Sequence, residues 1–121
     1  VSTFRSLAEL GTLPIWDGIL ARRIEGHDIT LAVVELEPGA AALLHHHPQE
    51  QLGLVLKGRM HFVIGTETRD LGPGDTYVIH SNVPHEATAG PEGAVVIDVF
   101  APIRHDWHRL EPGAAQAPRW P

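Results

Sequence analysis

The chain has 121 residues, 43% of them hydrophobic and 20% charged, which is the size and composition of one globular domain able to bury a core. It has no cysteine, which excludes thiolate sites and a disulfide framework, and its formal charge of −6 without a Lys/Arg cluster sets nucleic acid aside as a partner. No run approaches the ~20 apolar residues of a membrane helix, and the N-terminus shows neither the basic segment nor the apolar stretch of a secretory signal; a soluble cytoplasmic protein acting on a small molecule is expected, with no membrane partner.

Residues 1–18 hold one amphipathic stretch, Ser6-Leu7-Ala8-Glu9-Leu10, closed by Gly11 and Pro14. At most a helical turn is predicted there, in a segment that packs on the body or on a neighbour. The body spans 19–108. Residues 29–36 are β-branched and aliphatic and end at Pro38-Gly39, which predicts a strand and a turn. Residues 51–56 form a second such run ended by Lys57-Gly58, and 60–64 a third ended by Gly65. Residues 77–79 and 95–100 are shorter strands, set apart by Pro73-Gly74-Asp75 and by Gly90-Pro91-Glu92-Gly93. Nothing within 20–103 sustains helical spacing, so the fold class is all-β, a sandwich or barrel in a single domain. The tail, 109–121, is rich in Pro, Gly and Ala and is expected to wrap a neighbour loosely or lie disordered, without a function of its own.

Nine histidines stand against one methionine and one tyrosine, and spacing decides whether they act together. The centre is His45-His46-His47-Pro48-Gln49-Glu50-Gln51. On an extended strand His45 and His47 face the same way, about 7 Å apart, with His46 opposite. Gln51 shares that parity if the strand runs on past Pro48, whereas Glu50 points away. A third nitrogen must come from a distant segment, and His85, after Asn82-Val83-Pro84, offers it. The other six histidines read as surface or cross-strand imidazoles, with His61 and His80 the two open to a place on the cavity wall. His-x-His on a strand also occurs in proteins that bind no metal, so the wider pattern carries the weight.

That pattern resembles the cupin family. Gly39, five residues, His45-His46-His47, three residues, Gln51, six residues and Gly58 match the spacing of the first cupin motif, with Gln51 at its usual Glu. Pro73-Gly74-Asp75 leading to Pro84-His85 is similar to the second, although Ala89 stands where that motif has Asn. The resemblance implies a jelly-roll β-barrel of about six to eight strands with one divalent metal ion inside. His45, His47, His85 and Gln51 would be its ligands, and zinc, nickel, manganese, iron and copper all suit such donors. Replacing the Glu by Gln leaves the ion its full charge and favours Lewis-acid chemistry on anions.

A narrower resemblance lies at Asp98-Val99-Phe100-Ala101-Pro102-Ile103-Arg104, which is similar to the ending of small cupins that include the KdgF type, enzymes that open unsaturated uronates. By parity Asp98 and Phe100 share a strand face. The implied roles are Asp98 as proton carrier and Arg104 as carboxylate clamp, with Phe100 and His61 on the pocket wall; a plain Asp98–Arg104 rim ion pair is the bland alternative. The expected function is a metal-assisted lyase, isomerase or ring-opening enzyme on a small oxygen-rich anion such as an unsaturated uronate. A metal-dependent dioxygenase and a non-catalytic small-molecule sensor are the competing expectations. If Gln51, Gly53 and Val55 face inward, Leu52, Leu54 and Leu56 form an outward aliphatic row, which points to a homodimer.

Overall fold

The computed structural model describes residues 3–121. After a 3-10 turn at Leu7–Glu9 come eight strands: β1 (Leu13–Trp16), β2 (Ile19–Glu25), β3 (Thr30–Leu36), β4 (Ala41–His45), β5 (Glu50–Ile64), β6 (Glu67–Leu71), β7 (Thr76–Ile79) and β8 (His85–Ala101). A second 3-10 turn, His105–Arg109, follows them. All pairings are antiparallel, in the order β1-β2-β3-β8-β5-β6, with β4 on β8 and β7 on β5. Among the described residues no helix is long and apolar enough to cross a membrane.

Two long strands give the sheet its shape. β5 and β8 pair along their whole length, from Glu50 with Ala101 to Ile64 with His85, and slip register at Val55/Lys57 and Gly58/Met60. A bulge sets two residues against one and bends the strand, so each long strand serves both walls of the barrel. Gly58 makes the corner possible: its φ is +77°, and a Cβ there would lie 2.1 Å from the Gly93 carbonyl oxygen. The sequence reading ends separate strands at Lys57-Gly58 and at Gly90-Gly93. The structure corrects this, because those glycines relieve crowding at a bend and the chain continues as strand on both sides.

The bulge also flips the alternation. Gln51, Gly53 and Val55 are buried, but beyond the slip Met60 and Phe62 are the inward residues. The core these face joins Ile19, Val34, Leu36, Val55 and Val96, and Ile19, Val34, Leu36 and Val96 also line the barrel's cavity. β3 is buried on nearly every residue, an uncommon state for one strand of an antiparallel sheet.

The C-terminal tail explains it. It is ordered on its own chain, across the outer face of β2 and β3. Gly113 N–H donates to the Thr12 carbonyl at 2.7 Å, Arg22 Nη1 to the Gln116 carbonyl at 2.8 Å, and Arg119 N–H to Glu35 Oε2 at 2.8 Å. Beneath it Arg22 and Glu35, 1% and 6% exposed, form an ion pair at 3.4 Å. A buried guanidinium has more donors than one carboxylate can use, and the tail carbonyls take the surplus.

Candidate metal centre

The chain leaves regular strand at His45, turns through residues 46–49 and re-enters strand at Glu50. His47 is therefore in a loop and Gln51 on a different strand from His45, so the parity argument reaches its residues by a path the backbone does not take. Cross-strand pairing does the work instead. His45 and His85 are register partners of β4 and β8, and Phe100 is the partner of Gln51 on β5. Asn82, at φ +61° in the turn before His85, donates its N–H to the His47 carbonyl at 2.8 Å and ties that loop to the turn.

The three imidazoles meet. One ligand atom from each of His45, His47 and His85 lies within 4.8 Å of the other two. Each ring is oriented by a backbone carbonyl: His45 Nδ1 by Leu43 at 2.6 Å, His47 Nδ1 by Gln49 at 3.0 Å, and His85 Nδ1 by Val83 at 2.9 Å. A carbonyl only accepts, so each Nδ1 carries the proton and each Nε2 keeps a lone pair, the tautomer a metal needs. Burial lowers all three pKa values from the ordinary 6.5, His47 to about 4. The Arg104 charge adds to each shift. Neutral imidazoles at neutral pH follow.

Gln51 adds an oxygen beside the imidazoles. Its Oε1 stands 3.1 Å from His47 Nε2. With Nδ1 protonated, these are two acceptors facing each other, an arrangement that a shared cation satisfies and a hydrogen bond does not. The three-histidine cluster could hold a metal ion, and this donor set of nitrogen and oxygen fits one.

Beside the cluster is a cavity of about 430 Å³ whose wall includes Gln51, Tyr77, Asp98, Phe100, Arg104 and Trp107. Asp98 is buried and accepts the Tyr77 hydroxyl at 2.5 Å. Burial pushes its carboxyl above the usual range, while hydrogen bonds from Tyr77 and Gln51 and the Arg104 charge work the other way. Arg104 makes no ion pair with Asp98. Its Nε and Nη2 hold Asp106 at 3.1 and 2.9 Å, and its Cζ lies over the Phe100 and Trp107 rings, 4.6 Å from each centre. Its backbone N–H donates to Thr30 Oγ1 at 2.9 Å.

His61 is the correction. Its side chain is 51% exposed and pairs with Asp70 at 2.7 Å, outside the cavity. Unbroken alternation from Gln51 would have turned it inward; the bulge at Val55/Lys57 turns it out. His80 is likewise exposed, 3.4 Å from Glu50. Two residues escaped the sequence reading. Gln49 accepts His47 Nδ1–H on its carbonyl and donates its amide to the Ile103 carbonyl at 3.1 Å, joining the His47 loop to the Arg104 segment. Tyr77 sits opposite Gly53, and a glycine inside a strand, marking a close approach, was the available signal.

Fold and site together define a cupin. The cupin domain family Cupin_2 matches residues 32–100, and the chain belongs to it. Over 93 residues it is 34% identical to the pectin degradation protein KdgF of Dickeya dadantii, an alignment covering 75% of this chain and 84% of that protein. Among solved structures it is similar to KdgF from Halomonas sp., at 29% identity and a TM-score of 0.79 over 88% of this chain and 98% of that one. An RmlC-like cupin from Shewanella frigidimarina, at 24% identity and a TM-score of 0.81 over 88% and 96%, shares the fold.

Proposed function

We propose that this cupin is a metal-dependent enzyme that acts on a small oxygen-rich carboxylate of the unsaturated uronate class, by a lyase, isomerase or ring-opening reaction. One observation supports it: a three-histidine cluster that could hold a metal ion, with the Gln51 amide oxygen beside His47, lies on one cavity wall with a buried carboxylate and a guanidinium set over aromatic rings. The similarity to the two KdgF proteins, one of them described as a pectin degradation protein, supports the substrate class.

His45, His47, His85 and Gln51 would hold one divalent ion, which when bound supplies Lewis-acid polarisation of a substrate oxygen. Arg104 binds the substrate carboxylate. Asp106 occupies its Nε–Nη2 edge, so the carboxylate takes the Nη1 side, and the contacts with Phe100 and Trp107 help hold the guanidinium in place. Asp98 moves the proton, because burial has raised its affinity for one while the cavity leaves it within reach of the ligand. Phe100 and Trp107 keep water off the reacting atoms.

The test is elemental analysis of protein purified without added metal, followed by a screen of unsaturated uronates read by loss of their ultraviolet absorbance. About one metal per chain and turnover abolished by chelator are expected; equal turnover without metal overturns the reading. Oxygen uptake with iron and none with zinc would select the dioxygenase. Ligand binding without turnover, unchanged in Asp98→Ala, would select a sensor. The reading includes a homodimer: Leu52 and its cross-strand partner Val78 are 48% and 49% exposed on the outer face, and a monomer mass in light scattering at micromolar concentration would remove that part.

A further inference from the structure

We propose that Tyr77 is a positioning residue of the metal centre: seated in the space left open at Gly53, it holds Asp98, and Asp98 holds the Gln51 amide with its oxygen turned toward the imidazoles. The inference rests on the metal reading above and concerns how two of its ligands are kept available.

Tyr77, Gly53 and Asp98 lie in one row across three strands, Tyr77 opposite Gly53 between β7 and β5, and Gly53 opposite Asp98 between β5 and β8. Neighbouring strands are about 4.8 Å apart, so residues at the two ends of such a row are nearly 10 Å apart at the backbone. A tyrosine spans that gap only by lying flat over the middle residue. A Cβ on residue 53 would stand 1.9 Å from Tyr77 Cζ and 2.0 Å from Cε2, so any side chain there evicts the ring. Phe62 packs on the ring from the floor of the barrel, 4.2 Å between centroids. Thus placed, the hydroxyl reaches Asp98 Oδ1 at 2.5 Å.

Asp98 also hydrogen-bonds the Gln51 side chain. A carboxylate accepts, so Gln51 directs its NH2 to Asp98 and its Oε1 to His47 Nε2, 3.1 Å away. The opposite rotamer of the amide is the natural competitor. It would donate N–H to His47 Nε2, and one hydrogen bond would quench two metal ligands together. An Asp98 free to rotate would leave that quenched form accessible. Pinned by Tyr77, it selects the open form before any metal arrives, the usual office of an outer partner in a metal site.

The experiment is a double-mutant cycle on zinc affinity, measured by competition titration on the full chain with no substrate present. Tyr77→Phe keeps the ring in the Gly53 gap and removes the hydroxyl alone. It should weaken zinc binding about tenfold to a hundredfold, as loss of outer-shell partners does. Gln51→Ala should weaken it similarly, and the double variant should bind no more weakly than Gln51→Ala alone, because Tyr77 acts through Gln51. Parent-like affinity in Tyr77→Phe, or losses that add in full, overturns the proposal. A parent chain that takes up no zinc overturns the metal reading, and this inference with it. Tyr77 is the chain's one tyrosine, so ultraviolet resonance Raman of the unaltered protein gives a second reading. A strong-donor tyrosine signature is expected with and without zinc, and a free or acceptor hydroxyl refutes the arrangement.

Discussion

Lowering the pH in the presence of limiting zinc perturbs the three imidazoles directly, since protons and metal compete for the same lone pairs. For a histidine of ordinary pKa 6.5, apparent affinity at about pH 5.5 falls by a factor of one plus ten, so three such residues together lose about a thousandfold. Here His47 titrates at about 4, and at about pH 5.5 only some 3% of its rings carry the second proton. It therefore contributes almost nothing to the loss. His45 and His85 are lowered in the same direction, so even at the ordinary limit the pair costs no more than about a hundredfold. Zinc affinity measured by competition titration at about pH 7.5, 6.5 and 5.5 should thus fall by less than about a hundredfold over the range. A thousandfold fall with a three-proton slope would refute the claim that burial keeps these rings neutral, and with it the tautomer assignment on which the site depends.

The same shift has a consequence for the metal-free protein. The unfolded chain takes up a proton at His47 near 6.5 and the folded chain only near about 4. Acid thus favours unfolding, and urea midpoints should be level above about pH 6.5 and fall progressively toward about pH 4. His85→Ala should abolish stoichiometric zinc uptake and the rise in melting temperature that zinc produces, read by differential scanning fluorimetry; an undiminished rise would place the metal elsewhere. His61→Ala, on the outer face beside Asp70, should leave zinc affinity and turnover unchanged, and a loss in either would restore it to the cavity. Arg22→Ala leaves Glu35 buried beneath the tail without its guanidinium and should lower unfolding free energy by about 3–5 kcal/mol in urea titration. Replacing both partners, as Arg22→Met with Glu35→Leu, should recover most of that loss.

The histidine spacing singled out the imidazoles that the fold brings together but not how they meet. His45-x-His47 was read as one strand face running on to Gln51, whereas the backbone breaks after His45 and β5 brings Gln51 in from another strand. The residues agree because Gln51 begins a new alternation whose inward phase happens to be odd. His61 fails for the complementary reason: alternation is a local rule, and the slip at Val55/Lys57 resets it. Gly58 and Gly93 signalled a break correctly, but a glycine marks a bend within a strand and the end of a strand alike, and only the partner across the sheet distinguishes them.

What the chain's order of residues determined by itself was composition, the all-β class and the histidines that make the candidate cluster, because strand alternation, Gly/Pro punctuation and His-x-His spacing are local facts. The tertiary structure alone decided that His85 pairs with His45, that Tyr77 crosses the gap at Gly53 to reach Asp98, and that the tail covers Arg22 and Glu35. Those are contacts between segments far apart in the chain, set by register and by bulges, and no periodicity within one segment encodes them.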